Sequence, residues 1–255
     1  MPKSSKPAVI GAAPAGADNV QAVSRAVRDM FTSVAPHYDL LNHVLSCNVD
    51  RRWWRRAAGR FAETLKRPDA KVLDLCCGTG DMTFALRRGA GNSAARIVGA
   101  DFSHAMLERA RLKSLLHPEA ARPGWVEADA LHLPLASGYF DLVTTAFGFR
   151  NLADYDAGLR EILRVLKPGG ECGILDFCEP KGAIGVGYRF YFKHVLPRVG
   201  TLISGVRGPY SYLPDSVARF PEPAVMVERM KAAGFSDATW TPYTFGIAGL
   251  YWGKK

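Results

Sequence analysis

Two glycines and several aspartates lie where a predicted β-strand passes into a helix, and these residue types can hold a small organic cofactor. The run VLDLCCGTGD at residues 72–81 contains an apolar strand, then Gly78 and Gly80, then the start of a helix. Glycine lets the backbone approach a ligand closely because it has no Cβ atom. In a parallel sheet such ligands bind at the carboxyl ends of the strands. The sequence therefore predicts a cofactor site at this turn.

The charge of the turn indicates which cofactor it binds. A dinucleotide-binding turn has the pattern G-x-G-x-x-G, which brings a pyrophosphate to a helix N-terminus. Here Thr83 stands in place of the third glycine, and Asp81 adds a negative charge that would repel a pyrophosphate. Both residues disfavour an NAD-dependent oxidoreductase. S-adenosylmethionine carries an ammonium and a sulfonium and no phosphate, so it suits an acidic turn better.

Further aspartates follow the next two predicted strands. Asp101 lies 20 residues after Asp81, where its carboxylate can accept both hydroxyls of a ribose. Asp129 and Ala130 follow the third strand and are placed to meet the edge of an adenine. A single aspartate of this kind is more commonly a helix N-cap or a turn residue. Acidic residues at successive strand ends favour a shared cofactor site, and the set comprises Asp74, Asp81, Asp101 and Asp129.

The hydrophobic pattern predicts the elements that position these residues. Strands and helices alternate between residues 71 and 177, which is typical of an α/β, doubly wound parallel sheet. Two helices precede them, at residues 19–35 and at about 50–66, with Asp50 as the expected N-cap of the second. The motif LKPGG is expected to stop the helix before the fifth strand, which is predicted at 172–177. Residues 238–243 and 247–252 predict a closing antiparallel hairpin.

The chain is expected to consist of a tail and one folded domain. Residues 1–18 are rich in Pro, Ala, Gly and Ser, and they predict a flexible tail. Residues 19–255 are predicted to form a single domain. Its parts are a helical cap at 19–70, a cofactor-binding core at 71–180, a helical lid at 181–233 and a closing hairpin at 234–255.

The net charge of +9 suggests an acidic partner, but its distribution changes that interpretation. Residues 71–180 carry −2, whereas the segments before and after them carry +5 and +6. The arginines of residues 51–60 are interleaved with stacking aromatics only at Trp53 and Trp54. A nucleic-acid-binding protein is therefore the remote alternative, and no nucleic-acid partner is expected.

No apolar run reaches the roughly 18 residues of a membrane span. The five cysteines lack a secreted-type spacing, which indicates reduced thiols in the cytoplasm.

A set of motifs in the core is similar to those of class I S-adenosylmethionine-dependent methyltransferases. These motifs are DLCCGTGD, ADFS, EADALHLP, FDLVTTAFGFRN and LKPGG. The flanking motifs YDLLN, RRW, FGFRN, YRFYF and YLPDSV and the ending GIAGLYWGK are more specific, and they resemble the ubiquinone/menaquinone biosynthesis C-methyltransferases. The resemblance covers about residues 25–255. It implies a Rossmann-like, mostly parallel seven-stranded sheet and methylation of a ring carbon in a polyprenylated quinol, with demethylmenaquinol as the favoured substrate and a benzoquinol left open.

The resemblance also assigns residues to the cofactor. The cofactor contacts of the family correspond in this chain to Thr79, Asp101, Asp129 and Ala130. Phe102 of the ADFS motif is added to the predicted cofactor site. Two positions depart from the pattern of the family. Ala146 stands where many members have serine, and His43 stands where many have an acidic residue.

Carbon methylation needs an activated ring, and this requirement predicts the catalytic residues. A phenolic hydroxyl titrates near pH 10, so the site must favour the phenolate. Arg150 is predicted to hold the phenolate, Asn151 to orient the ring, and Tyr38 or His43 to relay the proton. The alternatives are a surface or interface ion pair for Arg150 and a packed loop aromatic for Tyr38. No spacing of His, Cys and carboxylates suggests a metal site.

Residues 185–205 are rich in apolar and aromatic side chains, and all their charges are basic. An active-site lid is the favoured interpretation, and a surface that contacts the bilayer to collect an isoprenoid substrate is the second. The expected location is therefore the cytoplasm, with peripheral contact at the inner face of the membrane, and a homodimer is left open. A methyltransferase for another phenol or a sterol remains the main alternative function.

Overall fold

The sheet at the centre of the molecule consists of strands that alternate along the chain with helices. The computed structural model describes residues 10–14, 16–39, 46, 48–191, 194, 198 and 208–255. The strands of this part of the chain are β1 Lys71–Leu75, β2 Arg96–Asp101, β3 Gly124–Glu127, β4 Phe140–Ala146, β5 Leu166–Phe177, β6 Ser236–Tyr243 and β7 Ala248–Lys254. They form one sheet in the order β3-β2-β1-β4-β5-β7-β6. Strands β1 to β5 pair in parallel, and β7 is antiparallel to both of its neighbours. The predicted doubly wound sheet with a C-terminal antiparallel pair is confirmed.

Helices cover both faces of this sheet. Their bounds are α1 Val20–Val34, α2 Asp50–Arg60, α3 Ala62–Lys66, α4 Asp81–Ala90, α5 His104–Ser114, α6 Tyr155–Val165, α7 Gly182–Phe190, α8 Gly208–Arg219 and α9 Pro223–Ala233. Neighbouring strand residues face opposite layers because side chains alternate along a strand. Leu142 joins the cluster that contains Trp53 of α2, and Val143 joins the cluster that contains Leu159 of α6. None of the helices in the described residues is long and apolar enough to cross a membrane.

The second predicted helix is interrupted. One helix was expected over residues 50–66, but α2 ends at Arg60 and α3 starts at Ala62. The break lies at Phe61, which is fully buried and sits 2.4 Å from the position that a Cβ on Gly173 of β5 would take. Packing against the sheet therefore overrides the helical pattern. Asp50 is the first helical residue and not the N-cap, which is Val49.

The fifth strand starts earlier than predicted. Residues 172–177 were expected, whereas β5 begins at Leu166 immediately after α6. The N–H of Gly169 donates to the carbonyl of Lys255, and the N–H of Lys255 donates to the carbonyl of Gly170. The LKPGG motif stops the helix as predicted, but its backbone polar groups find partners at the last residue of the chain and so extend the strand.

Part of the predicted tail is packed against the domain. The N–H groups of Gly11 and Ala12 donate to the carbonyls of Ala153 and Leu152, and Ala12 is buried. A Cβ on Gly11 would lie 2.0 Å from the Leu152 carbonyl oxygen, so this close approach requires glycine. Gly11 and Ala12 of the predicted tail therefore lie against the domain, and the flexible tail stays a prediction for the rest of residues 1–18.

Candidate active site

The turn after β1 is held by close backbone packing. Gly78 and Gly80 have positive φ values of 55° and 89°, and α4 starts at the next residue, Asp81. A Cβ on Gly80 would lie 2.6 Å from the ring of Trp125, which comes from β3. Cys76 also has a positive φ of 53°, although it carries a side chain. The glycine turn predicted from the sequence is therefore present, and only glycine fits at position 80.

Asp101 links this turn to the end of β2. Its two carboxylate oxygens accept the N–H of Gly78 and the N–H of Ser103, each at 2.9 Å. Burial raises the pKa of Asp101 to about 6, against the opposing effect of these backbone donors. A carboxylate has about four acceptor positions. Its backbone donors do not use all of these positions, so acceptor capacity remains for the ribose hydroxyls that the sequence assigned to this residue.

A cavity of about 660 Å³ opens beside Asp101 at the carboxyl ends of the strands. It lies where the sheet order reverses between β1 and β4, which is the usual ligand position in such sheets. Of the predicted cofactor residues, it is lined by Gly78, Asp101, Phe102, Asp129 and Ala130. Residues Ser24, Val27 and Phe31 of α1 cover it from the other side. Asp129 accepts the N–H of Leu131, so its carboxylate is fixed at the edge of the cavity.

A second cavity of about 370 Å³ lies around the start of α4. It is lined by Asp74, Gly78, Thr79 and Asp81 from the predicted set. The two cavities share the wall residues Tyr38, Cys76, Gly78, Ala146 and Phe147. A Cβ atom on Gly78 would lie 3.8 Å from Tyr38 Cε1 and would contact the ring. Glycine at this position leaves that volume open between Tyr38 and the turn. The structure thus brings Tyr38 to the cofactor residues.

Asp74 is a buried carboxylate that links three elements around the site. Its carboxylate is fully buried and accepts the hydroxyls of Thr83 at 2.6 Å and Thr144 at 2.8 Å. Burial raises its pKa to about 7, more than these two donors lower it. Both oxygens are thus engaged by neighbouring elements, which ties β1 to α4 and β4. Asp74 also lies at the wall of the second cavity, and its contact with the cofactor stays a prediction.

The loop after β4 faces the glycine turn. Phe147 has a positive φ of 58°, and a Cβ on Gly148 would lie 2.3 Å from Cys76 Cβ. Asn151 follows in a short 3₁₀ turn, Phe149–Asn151, and lines the larger cavity. It is 93 % buried, and its Oδ1 has no hydrogen-bond partner among the described residues. Asn151 therefore presents an acceptor atom at the cavity wall.

Arg150 forms a buried ion pair next to the loop after β4. Its guanidinium donates to Asp176 Oδ1 at 2.9 Å and to the carbonyl of Phe147, and it is not part of the wall of either cavity. Asp176 is fully buried and also accepts the backbone N–H of Arg150. The structure therefore pairs the charge of Arg150 with Asp176 and does not bring its side chain to the wall of the two cavities, and the contact of Arg150 with a phenolate stays a prediction.

Several site residues were not predicted. Lys113 of α5 contacts Thr79 and Asp81 and also Asp39, which follows Tyr38. Asp39 lies in the YDLLN motif, but no local pattern predicts a contact for it. A lysine in the last turn of a helix is an ordinary partner of the helix dipole, so no local signal marks Lys113. The described residues contain no group of three His, Cys, Asp or Glu side chains that could hold a metal ion. His43, the other predicted proton relay, lies outside the described residues.

The residues present fit S-adenosylmethionine. The cavities offer carboxylates at the positions suited to a ribose, an adenine edge and a cationic amino-acid end, and Asp81 would oppose a pyrophosphate at the start of α4. Gly78 and Tyr38 line both cavities, and a side chain at residue 78 would extend toward the ring of Tyr38. A fold of this topology with this acidic turn defines a class I S-adenosylmethionine-dependent methyltransferase.

Comparisons with known proteins agree with this class and identify a family within it. The family model described as the ubiE/COQ5 methyltransferase family matches residues 19–255, and the chain belongs to this family. It is 49 % identical over 232 residues to the demethylmenaquinone methyltransferase of Deinococcus radiodurans, covering 91 % of this chain and 93 % of that one. It is 48 % identical to the Thermus thermophilus protein of the same name, covering 89 % of this chain and 100 % of the relative. Among solved structures, a SAM-dependent methyltransferase of Thermotoga maritima has the same fold, with a TM-score of 0.60 at 18 % identity over 89 % of this chain and 99 % of that one.

Proposed function

We propose that this methyltransferase transfers the methyl group of S-adenosylmethionine to a ring carbon of a polyprenylated naphthoquinol, demethylmenaquinol. The observation that carries the proposal is the cavity beside Asp101, where an apolar wall of Phe31, Phe147 and Leu152 adjoins the cofactor residues. A flat, apolar ring suits these side chains. The two relatives described above are named for this substrate, which supports the choice over a benzoquinol.

Asn151 and Tyr38 are the residues proposed to contact the ring. When bound, the cofactor supplies a methyl group on a positively charged sulfur. A quinol hydroxyl can donate to Asn151 Oδ1, which has no partner among the described residues. Ring orientation then follows from the fixed position of Asn151. Tyr38 lies in the wall that both cavities share, where its hydroxyl can take part in moving the quinol proton.

We assign Arg150 a positioning role. The carbonyl of Phe147 accepts from both the Arg150 guanidinium and the Asn151 amide. The buried pair with Asp176 therefore fixes the backbone of the loop that carries Asn151. Removing one partner of a buried ion pair is strongly destabilising because it leaves an unpaired charge. Arg150 thus acts on the ring through Asn151.

Turnover on defined substrates tests the proposal. The purified protein is incubated with S-adenosylmethionine and either demethylmenaquinol, a demethylated benzoquinol or an unrelated phenol, and methylated products are identified by mass spectrometry. We expect product from demethylmenaquinol, with the label of a deuterated methyl group retained on the ring. The variant Asp101→Asn, which loses an acceptor for the ribose, serves as the cofactor-binding control. Activity confined to the benzoquinol would assign the other quinone, and activity confined to unrelated phenols would overturn the proposal.

We also propose that the protein contacts the membrane surface through α7 when it collects its substrate. This helix exposes Ile184, Val186 and Phe190, with exposed fractions of 45 %, 61 % and 63 %. Apolar side chains in a helix flanked by basic residues are typical of an interfacial element. Flotation with liposomes should weaken in the double variant Ile184→Ser/Phe190→Ser and not in the control Val225→Ser, whose side chain on α9 is also exposed. Equal flotation of both variants would contradict the role of α7.

A further inference from the structure

The segment at residues 10–13 packs against the wall of the larger cavity and has no role in the assignments above. The N–H of Gly11 donates to the carbonyl of Ala153 at 3.1 Å. The N–H of Ala12 donates to the carbonyl of Leu152 at 2.8 Å. Both acceptor residues line the larger cavity, and the segment itself precedes the part of the chain that the family model matches. We call residues 10–13 the strap.

The strap satisfies two backbone acceptors of a buried segment. Leu152 is 8 % exposed and Ala153 is 1 % exposed. Within the described part of the chain, the strap supplies the only hydrogen bonds to the carbonyls of these two residues. A buried carbonyl without a partner is unfavourable. The strap therefore stabilises the cavity wall in its observed conformation.

The first two contacts of the strap depend on small residues. A Cβ on Gly11 would lie 2.0 Å from the Leu152 carbonyl oxygen and 2.7 Å from the carbonyl carbon of Ala153. These are backbone atoms, which cannot move aside as the end of a long side chain can. Ala12 is buried in the core cluster that also contains Val27 of α1. A side chain at residue 11 would therefore displace the strap from the wall.

A third contact joins the strap to α8. The guanidinium of Arg219, in the last turn of α8, donates to the carbonyl of Ala13. The next residue, Phe220, packs its ring edge-on against Phe149, with 6.5 Å between the ring centroids. Phe149 is the first residue of the 3₁₀ turn after β4. The strap and the end of α8 thus contact opposite ends of the segment 149–153.

We infer that the strap positions this segment for the methyl acceptor, with Gly11 as a positioning residue that acts through Leu152. Asn151 directly precedes the two residues that the strap holds, and Leu152 belongs to the apolar wall. Fixing the backbone at Leu152 keeps both groups in the conformation that receives the ring. When only a fraction of the molecules has this conformation, the apparent affinity falls by that fraction. The inference rests on the proposed quinol site and adds an element that maintains it.

Steady-state kinetics with two strap variants tests the inference. Gly11→Ala displaces the strap, and Arg219→Met removes its link to α8 at an exposed residue. With the acceptor that the wild-type chain methylates, both variants should raise the KM about 3- to 30-fold, the range for the loss of one or two hydrogen bonds. At saturating acceptor, kcat should stay within about twofold, and so should the Kd of S-adenosylhomocysteine measured by calorimetry.

Hydrogen exchange followed by mass spectrometry examines the strap without any acceptor. Exchange at residues 149–153 should be faster in both variants than in the wild-type chain, whereas exchange in β1 should be unchanged. Gly59→Ala is the matched control, because its Cβ would have no neighbour within 4 Å. This control should keep the wild-type KM and the wild-type exchange at residues 149–153.

Unchanged exchange at residues 149–153 in both strap variants would overturn the inference. Faster exchange with an unchanged KM would overturn it as well. A joint loss of kcat, acceptor affinity and S-adenosylhomocysteine binding would show that the strap supports only the fold, which also contradicts the inference. If the wild-type chain leaves demethylmenaquinol unmethylated, the proposed substrate is wrong, and the exchange experiment still decides on the strap.

Discussion

Burial raises the pKa values of two aspartates of the site. Asp74 and Asp101 have pKa values raised to about 7 and about 6, in each case mainly because burial penalises the charged form. Asp101 is proposed to bind the ribose and Asp74 to support the turn, and both carboxylates are costly to ionise. Strongly shifted groups of this kind are common in functional sites. The burial that shapes the site therefore also makes its stability depend on pH.

The variant Asp74→Asn should flatten this pH dependence. The folded chain keeps a proton on Asp74 up to about pH 7, whereas the unfolded chain releases it near pH 3.8. Unfolding between these values releases a proton, so the free energy of unfolding falls as the pH rises from about 4 to about 7. Urea denaturation at several pH values measures the slope.

Asp101 contributes a smaller slope of the same sign, which Asp74→Asn leaves in place. Asp69→Asn serves as control because the Asp69 side chain is 76 % exposed. A slope that is the same in Asp74→Asn and in the wild-type chain would contradict the role assigned to Asp74.

Asn151 provides a test of ring binding at the residue scale. Asn151→Leu removes an acceptor that has no partner among the described residues, and it also removes the 3.3 Å hydrogen bond from Asn151 Nδ2 to the Phe147 carbonyl, so the free energy of unfolding should fall by about 1 kcal/mol. Loss of the contact to the quinol should reduce kcat/KM for the quinol about 10- to 100-fold. Binding of S-adenosylhomocysteine, measured by calorimetry, should be unchanged. A variant that binds the cofactor product poorly and retains quinol turnover would reverse this assignment.

At the scale of elements, the turn between β1 and α4 depends on glycine at one position. Gly80→Ala places a Cβ about 2.6 Å from the Trp125 ring and forces a side chain into a left-handed conformation. We expect a loss of more than about 2 kcal/mol of unfolding free energy and weaker cofactor binding, because Trp125 or the turn must move.

Gly59→Ala is the matched control for this substitution. Gly59 lies in α2 with open space around it, so alanine should stabilise the chain by about 0.5–1 kcal/mol. Thermal unfolding followed by circular dichroism compares the two variants. Equal stability of both would show that the close approach of Trp125 to the turn has no energetic effect.

Local patterns in the sequence predicted the secondary-structure elements. They did not predict the contacts between residues that are far apart in the chain. The strands, the glycine turn and Asp101 were predicted because strand periodicity and turn chemistry depend on neighbouring residues. The pairing of Arg150 with Asp176 depends on β4 lying beside β5, which no local pattern specifies. The break at Phe61 arises from its packing against β5. Lys113 was missed for the same reason, since its partners come from α4 and from the segment after α1.

At the scale of the whole molecule, the segments of the chain differ in net charge. The cofactor-binding part carries −2, which suits a cationic cofactor, and the flanking parts carry +5 and +6. The basic residues of α2 are largely exposed, and they include Arg51, Arg52, Arg55 and Arg56. The excess positive charge therefore lies in the segments that precede and follow the acidic one, which favours contact with an anionic surface outside the cofactor site.

Salt should control the proposed membrane contact. Binding to vesicles that contain anionic phospholipid is expected at low ionic strength and should be largely lost at about 1 M salt, where the Debye length is about 3 Å. Co-flotation measures the bound fraction, with phosphatidylcholine vesicles as the uncharged control. Absence of binding to the anionic vesicles at low salt would refute the electrostatic part of the proposal.

The position of β7 has a consequence for the chain during its synthesis. This last strand lies between β5 and β6 and not at an edge, and its Tyr251 is fully buried. Until β7 has been synthesised, the edge of β5 that faces away from β4 has no strand beside it. An open, apolar strand edge pairs readily with other chains. Production of this protein should therefore depend on how quickly β7 follows β5 during synthesis, with slow translation between these two strands or weak chaperone protection leading to aggregates.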